Sequence, residues 1–481
     1  MKSVLINPPI TPEQVFGDWD LSDLDTYCPP LGLLYIAGYL RQFGHTVHII
    51  DTIPLKWTLE ELVQNVSLLD PDVIGISSTT VNIVNANRIA EKLKTNGLKA
   101  PIILGGPHVS ALPKLTLERY CAFDYGVLGE GEMSYLELIQ TIEKKEPISS
   151  VKGIAWRDNS GDIIVNPIRP LIEDLDILPL PAWDLLPNFP DAYPHNALET
   201  KRLPAATILT SRGCPFQCTF CDRSVFGNSV REHSVEYTIK MIQYLKHEHG
   251  IKDLMVVDDN FLLKKQRLFQ ICDAMIDNKM NLSWYCLGHV KYMTEDRLKK
   301  IREAGCWIME VGIESGSDRI LKLIKKNTTK AEIASAVTTA KKAGIKIKGN
   351  FIFGLPTETK ESLEETIEFA KSIDIHLFQQ TYMTILPGCE LSFDAEKYGT
   401  YESEWDKITM YKVNFVPFGL TKQDLTDASK KAFRAFYLRP KTILRIGIHS
   451  FTSFRAFKSS VLALIAFTKT LLRKPNKPTA T

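Results

Sequence analysis

The chain has 481 residues, 44% apolar and 24% charged, with a formal net charge of +2. That composition suits two or three soluble domains and excludes a disordered chain, a collagen or a disulfide scaffold. Nine cysteines, three of them within eight residues and the others scattered, point to a reduced, cytoplasmic setting.

The first 145 residues alternate short apolar runs with helical patterns. Val4–Ile6, Val47–Ile50, Val73–Ile76, Ile102–Leu104 and Tyr125–Leu128 are rich in Val and Ile and nearly unbroken, as strands buried on both faces are. Helices are predicted near 31–43, 58–69, 81–96, 113–120 and 132–144, the first closed by Gly44. This alternation predicts a doubly wound parallel sheet, which binds ligands outside the carboxyl ends of its strands. The loops there are Asn7-Pro-Pro9, Ser77-Ser78-Thr79-Thr80, Gly105-Gly106-Pro-His-Val109 and Gly129-Glu130-Gly-Glu132. No G-x-G-x-x-G follows the first strand, which weighs against a dinucleotide.

Residues 146–204 read as a hairpin and a connector. Val151–Arg157 and Asp162–Ile168 flank Asn159-Ser160-Gly161, and a proline-dense stretch runs from Leu178 to Pro204. Proline resists both ladders and helix interiors, so this stretch is expected to lie over the surface. From 205 to 400 the alternation resumes. Strands are predicted at Thr207–Thr210, Asp253–Val257, Ser283–Leu287, Trp307–Ile313, Ile345–Phe353 and His376–Thr384. Thr329-Lys-Ala-Glu332 is a capping box, and six strand–helix units suit a partial (β/α)6 barrel.

The chemistry is densest in Arg212-Gly-Cys214-Pro-Phe-Gln-Cys218-Thr-Phe220-Cys221, spaced C-x3-C-x2-C. Thiolates so close on one loop can converge on one metal centre, and three rather than four leave an iron open to a cofactor or substrate. A zinc site is the alternative, with His233, Cys286 or Cys306 as fourth ligand. The motif resembles the radical S-adenosylmethionine (SAM) superfamily over residues 205–400. The resemblance implies a [4Fe–4S] cluster on Cys214, Cys218 and Cys221, whose open iron binds SAM and splits it to a 5′-deoxyadenosyl radical. It also implies SAM contacts at Phe220, at Asp258 and Asp259 of the Asp258–Asn260 turn, and at Glu314. Relatives often carry Pro-Gly-Thr where this chain has Pro387-Gly388-Cys389; the extra thiol is expected to be buried.

The N-terminal loops, with Pro29-Pro-Leu-Gly-Leu-Leu-Tyr35, resemble the cobalamin-binding domain of cobalamin-dependent radical SAM enzymes. By that resemblance cobalamin would be held by Ser77, Ser78, Thr79, Gly105, Gly106, Gly129 and Glu130. The D-x-H-x-x-G signature that supplies a histidine to cobalt is absent, and His108 is expected to make ordinary hydrogen bonds instead.

Residues 401–481 read as a basic helical segment. After Asp427 no acid occurs, and residues 428–481 hold twelve Lys or Arg, leaving a body of net charge −10. Such a segment fits either the inner face of an anionic membrane or a helix packed on the barrel. Membrane contact would go with a hydrophobic substrate such as a lipid, isoprenoid or tetrapyrrole. No run reaches the roughly 18 apolar residues of a membrane span and no secretory leader is evident.

The reading is therefore a cytoplasmic α/β enzyme: a doubly wound, Rossmann-like cobalamin domain, a connector, a radical SAM barrel and a basic tail. The resemblance implies C-methylation of an unactivated carbon on a small molecule, with a reductant such as flavodoxin or ferredoxin. Nucleic acid is not expected, and the methylthiotransferases of RNA fit poorly because their additional cysteine cluster is missing. An oxidative cyclase of the anaerobic Mg-protoporphyrin IX monomethyl ester type would use the same cofactors to a different end. A non-catalytic cobalamin or redox sensor would keep the fold without the chemistry.

Overall fold

The computed structural model describes residues 1–10, 14, 27–196, 198–450 and 461. The first sheet holds β1 (Lys2–Asn7), β2 (Thr46–Asp51), β3 (Val73–Ser77), β4 (Ile102–Gly105) and β5 (Tyr125–Val127) in the parallel order β2-β1-β3-β4-β5. Each predicted strand of this half is found. Helices α1 (Leu31–Gln42), α2 (Leu59–Leu69), α3 (Ile83–Thr95) and α4 (Gly131–Lys144) cover its faces. Gly44 takes φ 81° after α1, and the Gly44 and His45 N–H groups donate to the Arg41 and Leu40 carbonyls. Only a residue at ease with positive φ closes a helix this way.

The hairpin forms, but not within the connector. Its strands β6 (Ile154–Arg157) and β7 (Ile163–Val165) pair antiparallel, and β6 pairs antiparallel with β5. They extend the first sheet to seven strands because Ile154, Ala155 and Ile163 bury against its apolar core.

The second unit is a six-stranded parallel sheet: β8 (Ala205–Ile208), β9 (Asp253–Val256), β10 (Ser283–Gly288), β11 (Cys306–Glu314), β12 (Lys346–Phe353) and β13 (Leu377–Tyr382). These strands stand side by side in chain order, as a partial (β/α)6 barrel requires. Outside them lie α5 (Val235–Glu248), α6 (Lys265–Asp277), α7 (Glu295–Glu303), α8 (Lys330–Lys342) and α9 (Lys360–Ser372). The predicted capping box forms at the start of α8: Thr329 Oγ1 accepts from Glu332 N–H and the Glu332 carboxylate from Thr329 N–H. After the barrel come α10 (Lys422–Tyr437) and α11 (Pro440–Ser450). The rest of the basic tail, including Ser459–Leu472, lies outside the described residues apart from Val461.

The connector corrects the expectation of a surface strap. Leu175, Leu178, Trp183 and Tyr193 are buried, in one apolar core that runs from Leu33 and Tyr35 of α1 to Ile239 and Leu254 of the barrel. Its prolines deny it a ladder, but the Leu and Trp between them act as filler between the two units. At roughly 25 cal/mol per Å² of apolar surface, such burial holds them together.

Candidate active site at the seam

The two units meet around a cavity of about 420 Å³. One wall is the carboxyl end of the first sheet: Ser77 at the end of β3, Gly105 at the end of β4 with Gly106 after it, and Gly129 and Glu130 after β5. The other wall is the loop after β8, with Arg212, Cys214 and Cys221, and Asp259 after β9. The crevice thus lies where doubly wound sheets bind ligands, facing the end of the barrel where ligands also bind.

The first wall is mostly backbone. Gly105, and Gly32 of α1, have empty space where a Cβ would stand, so any side chain there would project into the cavity. Gly106 has φ 103°, and a Cβ would collide with the Ser78 carbonyl oxygen. These features fit a broad, flat ligand approached closely by main chain. Of the seven residues read from the sequence as cobalamin contacts, Ser77, Gly105, Gly106, Gly129 and Glu130 line the cavity. Ser78 sits behind the wall, buried, its N–H donating to the Gly105 carbonyl. Thr79 is exposed and donates to Asn82 Oδ1 from its N–H (2.8 Å) and hydroxyl (3.1 Å). His108 is buried, bonded to Thr80 Oγ1 at 3.1 Å and edge-on to Trp405; burial lowers its pKa to about 4. Among the described residues no histidine lines the cavity.

The cysteine loop is tightly framed. Ser211–Arg212 pairs antiparallel with Arg231–Glu232, closing the loop at its base. Gly213 takes φ 90° beside the Ser229 carbonyl. The Asp258 carboxylate, wholly buried, accepts from Thr210 N–H, Thr210 Oγ1 and Ser211 Oγ, each at 2.6 Å. It therefore ties the end of β9 to the strand that launches the loop. Phe216 stacks on His289 at 4.0 Å, and Thr219 bonds both the Ile324 and Leu391 main chains.

Burial pushes all three thiols up, Cys221 to about 12. Free thiolates are disfavoured there, and a coordinating cation would reverse that preference. Among the described residues no three His, Cys, Asp or Glu side chains group around a single ion. The zinc alternative fails on its fourth ligand as well. His233 is bound to Asp176 at 3.0 Å and stacked on Tyr237, while Cys286 and Cys306 are core residues. A multi-iron cluster spreads its thiolates over different metal atoms, so it does not require the three sulfurs to converge on one point.

Beside the cysteines Glu314, expected from the resemblance, sits in a buried pair whose partner, Lys326, sequence reasoning missed. Lys326 Nζ lies 2.6 Å from Glu314 Oε1, with both side chains under a tenth exposed. Glu314 ends β11 in the left-handed region, φ 65°, and side chains held in such strain cluster at functional sites. A Cβ on Gly312 would strike both charged groups. Phe220 is half-buried against an apolar cluster that includes Ile324, Leu355 and the fully buried Cys389, whose thiol is pushed up by burial.

The barrel interior holds a second charged group. Lys348 Nζ lies 2.9 Å from Glu199 and 3.1 Å from Glu310, which also accepts from Tyr285 and Asn350. Glu310 and Lys348 are in register on β11 and β12. Their strand neighbours Met309, Val311 and Ile347 turn the other way, into the core beneath the helices. Glu310 stands two inward positions before Glu314, on the same strand, with Gly312 between them.

A family model of the Radical SAM superfamily matches residues 208–370, and one of the B12 binding domain matches residues 20–139. An uncharacterized methyltransferase of Pyrococcus horikoshii is 35% identical over 92% of this chain and 94% of its own. The anaerobic magnesium-protoporphyrin IX monomethyl ester cyclase of Rubrivivax gelatinosus is 26% identical over 88% of this chain and 75% of its own. The solved structure of OxsB, a cobalamin-dependent S-adenosylmethionine radical enzyme, superposes with a TM-score of 0.73 at 20% identity, covering 98% of this chain and 71% of that one.

Proposed function

The chain belongs to the radical SAM enzymes that carry a B12-binding domain, and from that premise we propose that it methylates an unactivated carbon of a small molecule. The observation that carries the reading is the shared cavity, with two of the three cysteines on one wall and the glycine-lined sheet end on the other. When bound, the [4Fe–4S] cluster and SAM supply the radical and cobalamin supplies the methyl group.

The chain's own residues bind, orient and exclude water. Cys214, Cys218 and Cys221 hold the cluster, and Asp258 fixes the loop that presents them. Ser77, Gly105, Gly106 and Gly129 carry the corrin face. Glu314, held by Lys326 through one oxygen, keeps acceptor capacity on the other for the ribose hydroxyls of SAM. Phe220 and Asp259 complete the SAM contacts. The Glu199–Lys348–Glu310 group inside the barrel supports a substrate with a polar part over a bare hydrocarbon.

The test is anaerobic incubation of the reconstituted enzyme with SAM, and comparison of extracts from a host with and without the gene, fed methyl-labelled methionine. Formation of 5′-deoxyadenosine together with a labelled, methyl-bearing product supports the reading. A product changed in ring or oxygen count without label would favour the cyclase chemistry named for the Rubrivivax relative. Absence of SAM cleavage in a loaded enzyme would leave a sensor.

The membrane reading has its own observation. On α11, Ile443, Leu444 and Ile448 are more than half exposed, while Lys441 and Arg445 bind Asp374. No helix among the described residues is long and apolar enough to cross a membrane. An apolar helix face followed by acid-free sequence fits contact with an anionic bilayer surface. Removing residues 440–481 should abolish sedimentation with anionic vesicles; unchanged partitioning would sink this reading.

A further inference from the structure

Four buried charges cross the seam between the two units. Arg212 grips Glu130 Oε1 through Nη1 at 2.7 Å and Glu132 Oε1 through Nη2 at 2.6 Å. Arg231 Nη1 holds the other oxygen of Glu130 at 2.6 Å and donates to the Ile172 carbonyl at 2.9 Å. Ile172 N–H donates back to Glu130 at 2.7 Å. All four side chains are between 3% and 7% exposed. The Arg212 guanidinium also lies over the Tyr35 ring of α1, 5.0 Å from its centroid, and 5.4 Å from that of Phe226.

The placement of these groups gives the arrangement its meaning. Glu130 and Glu132 flank Gly131 at the start of α4, immediately after Gly129 on the sheet wall. Arg212 stands two residues before Cys214, and Arg231 is its partner on the ladder that closes the cysteine loop. Arg212, Glu130 and Glu132 themselves line the cavity. The two glutamates and two arginines cancel in charge. Well-packed apolar side chains would hold two domains together as well as a buried ion-pair group does, and without its desolvation cost. What the fork of an arginine adds is direction: two contacts from one rigid plane, one to each glutamate, fix distance and angle at once.

We propose that Arg212 is a positioning residue that sets the separation and tilt of the cysteine loop against the glycine-lined wall, and so the spacing of the two metal cofactors. The inference rests on the proposed assignment of the cluster to the cysteines and of cobalamin to the wall. Glu132 is the adjustable arm, because Glu130 is shared with Arg231 whereas Glu132, among the described residues, pairs with Arg212 alone.

The experiment uses the full chain, reconstituted anaerobically with iron, sulfide and cobalamin, then reduced so that cluster and cobalamin are both paramagnetic. Iron and cobalamin content are measured, and the magnetic interaction between the centres is read by electron paramagnetic resonance. Arg212→Lys keeps the charge and loses the fork; Glu132→Gln loses one arm and leaves the Glu130 pair to support folding. The expected result is undiminished iron and cobalamin with a broadened or lost spin–spin splitting, larger for Arg212→Lys. An unchanged splitting in both variants overturns the proposal. So does loss of both cofactors in parallel with native splitting in the molecules that keep them, since that is what a merely structural role produces. If Arg212→Lys does not fold, Glu132→Gln decides. A wild-type chain that takes up no cluster or no cobalamin would instead overturn the underlying assignment, and the proposal with it.

Discussion

The two walls of the cavity recognise by different means. The sheet wall offers backbone at Gly105, Gly106 and Gly129, and its charged side chains, Glu130 and Glu132, are taken up by arginines of the barrel unit. The barrel wall presents side chains, among them Cys214, Cys221 and Asp259, and behind it each side chain is held by another: the cysteine loop by Asp258, Glu314 by Lys326, Phe216 by His289. A backbone wall suits a large ligand bound by shape, and it tolerates the loss of any one side chain. A wall of interlocked charges does not, because removing one partner strands the other.

That contrast can be broken in order of size. Cys214→Ala, Cys218→Ala or Cys221→Ala should abolish cluster assembly and 5′-deoxyadenosine formation, while cobalamin uptake persists. Iron analysis and chromatography of the nucleoside check this, and joint loss of cobalamin would show the walls are not separable. Lys326→Met should cost about 3–5 kcal/mol of stability by leaving Glu314 buried and unpaired. Lys326→Met combined with Glu314→Leu should recover most of it, as read by denaturant unfolding.

Glu358 tests the barrel side by pH. It is fully buried; Oε2 accepts the Gly354 N–H at 2.5 Å and the Leu355 N–H at 3.2 Å, Oε1 has no hydrogen-bond partner among the described residues, and burial raises its pKa to about 8. The folded chain keeps this proton above pH 4.5, where the unfolded chain has released it. Its contribution therefore lowers stability as pH rises from about 4.5 to about 8 and levels off beyond. Glu358→Gln should remove that slope, by a few kcal/mol between the two ends; parallel profiles for the two proteins would refute it. The smallest effect belongs to the sheet wall. Gly105→Leu projects into open space and should weaken cobalamin binding about tenfold, roughly 1.4 kcal/mol, with SAM cleavage intact.

Legibility in the sequence divides along the same line. The parallel strands of both sheets are readable because burial on two faces leaves nearly unbroken apolar runs, as in Val73–Ile76. The cysteines are readable because short spacing is itself the chemistry. The connector misleads because proline announces only what a segment cannot form; Trp183 and Tyr193, which decide where it goes, need a partner surface to show their role. Arg212, Glu132 and Lys326 look like ordinary loop charges and Glu130 reads only as a cobalamin contact, while their pairing spans 80 residues or more for the seam and 12 for Lys326 and Glu314. A signal is present in the glutamates bracketing Gly131 between two predicted elements, and in Glu310 and Lys348 inside otherwise apolar strands.

A cavity shared between two units also has an order of construction. The ribosome delivers the sheet wall first and the cysteine loop only after the whole connector has followed Gly129. A chain halted between them carries the cradle without the radical source. The cysteine loop emerges only after Glu130 and Glu132 have been made, so the groups that receive Arg212 precede it in synthesis.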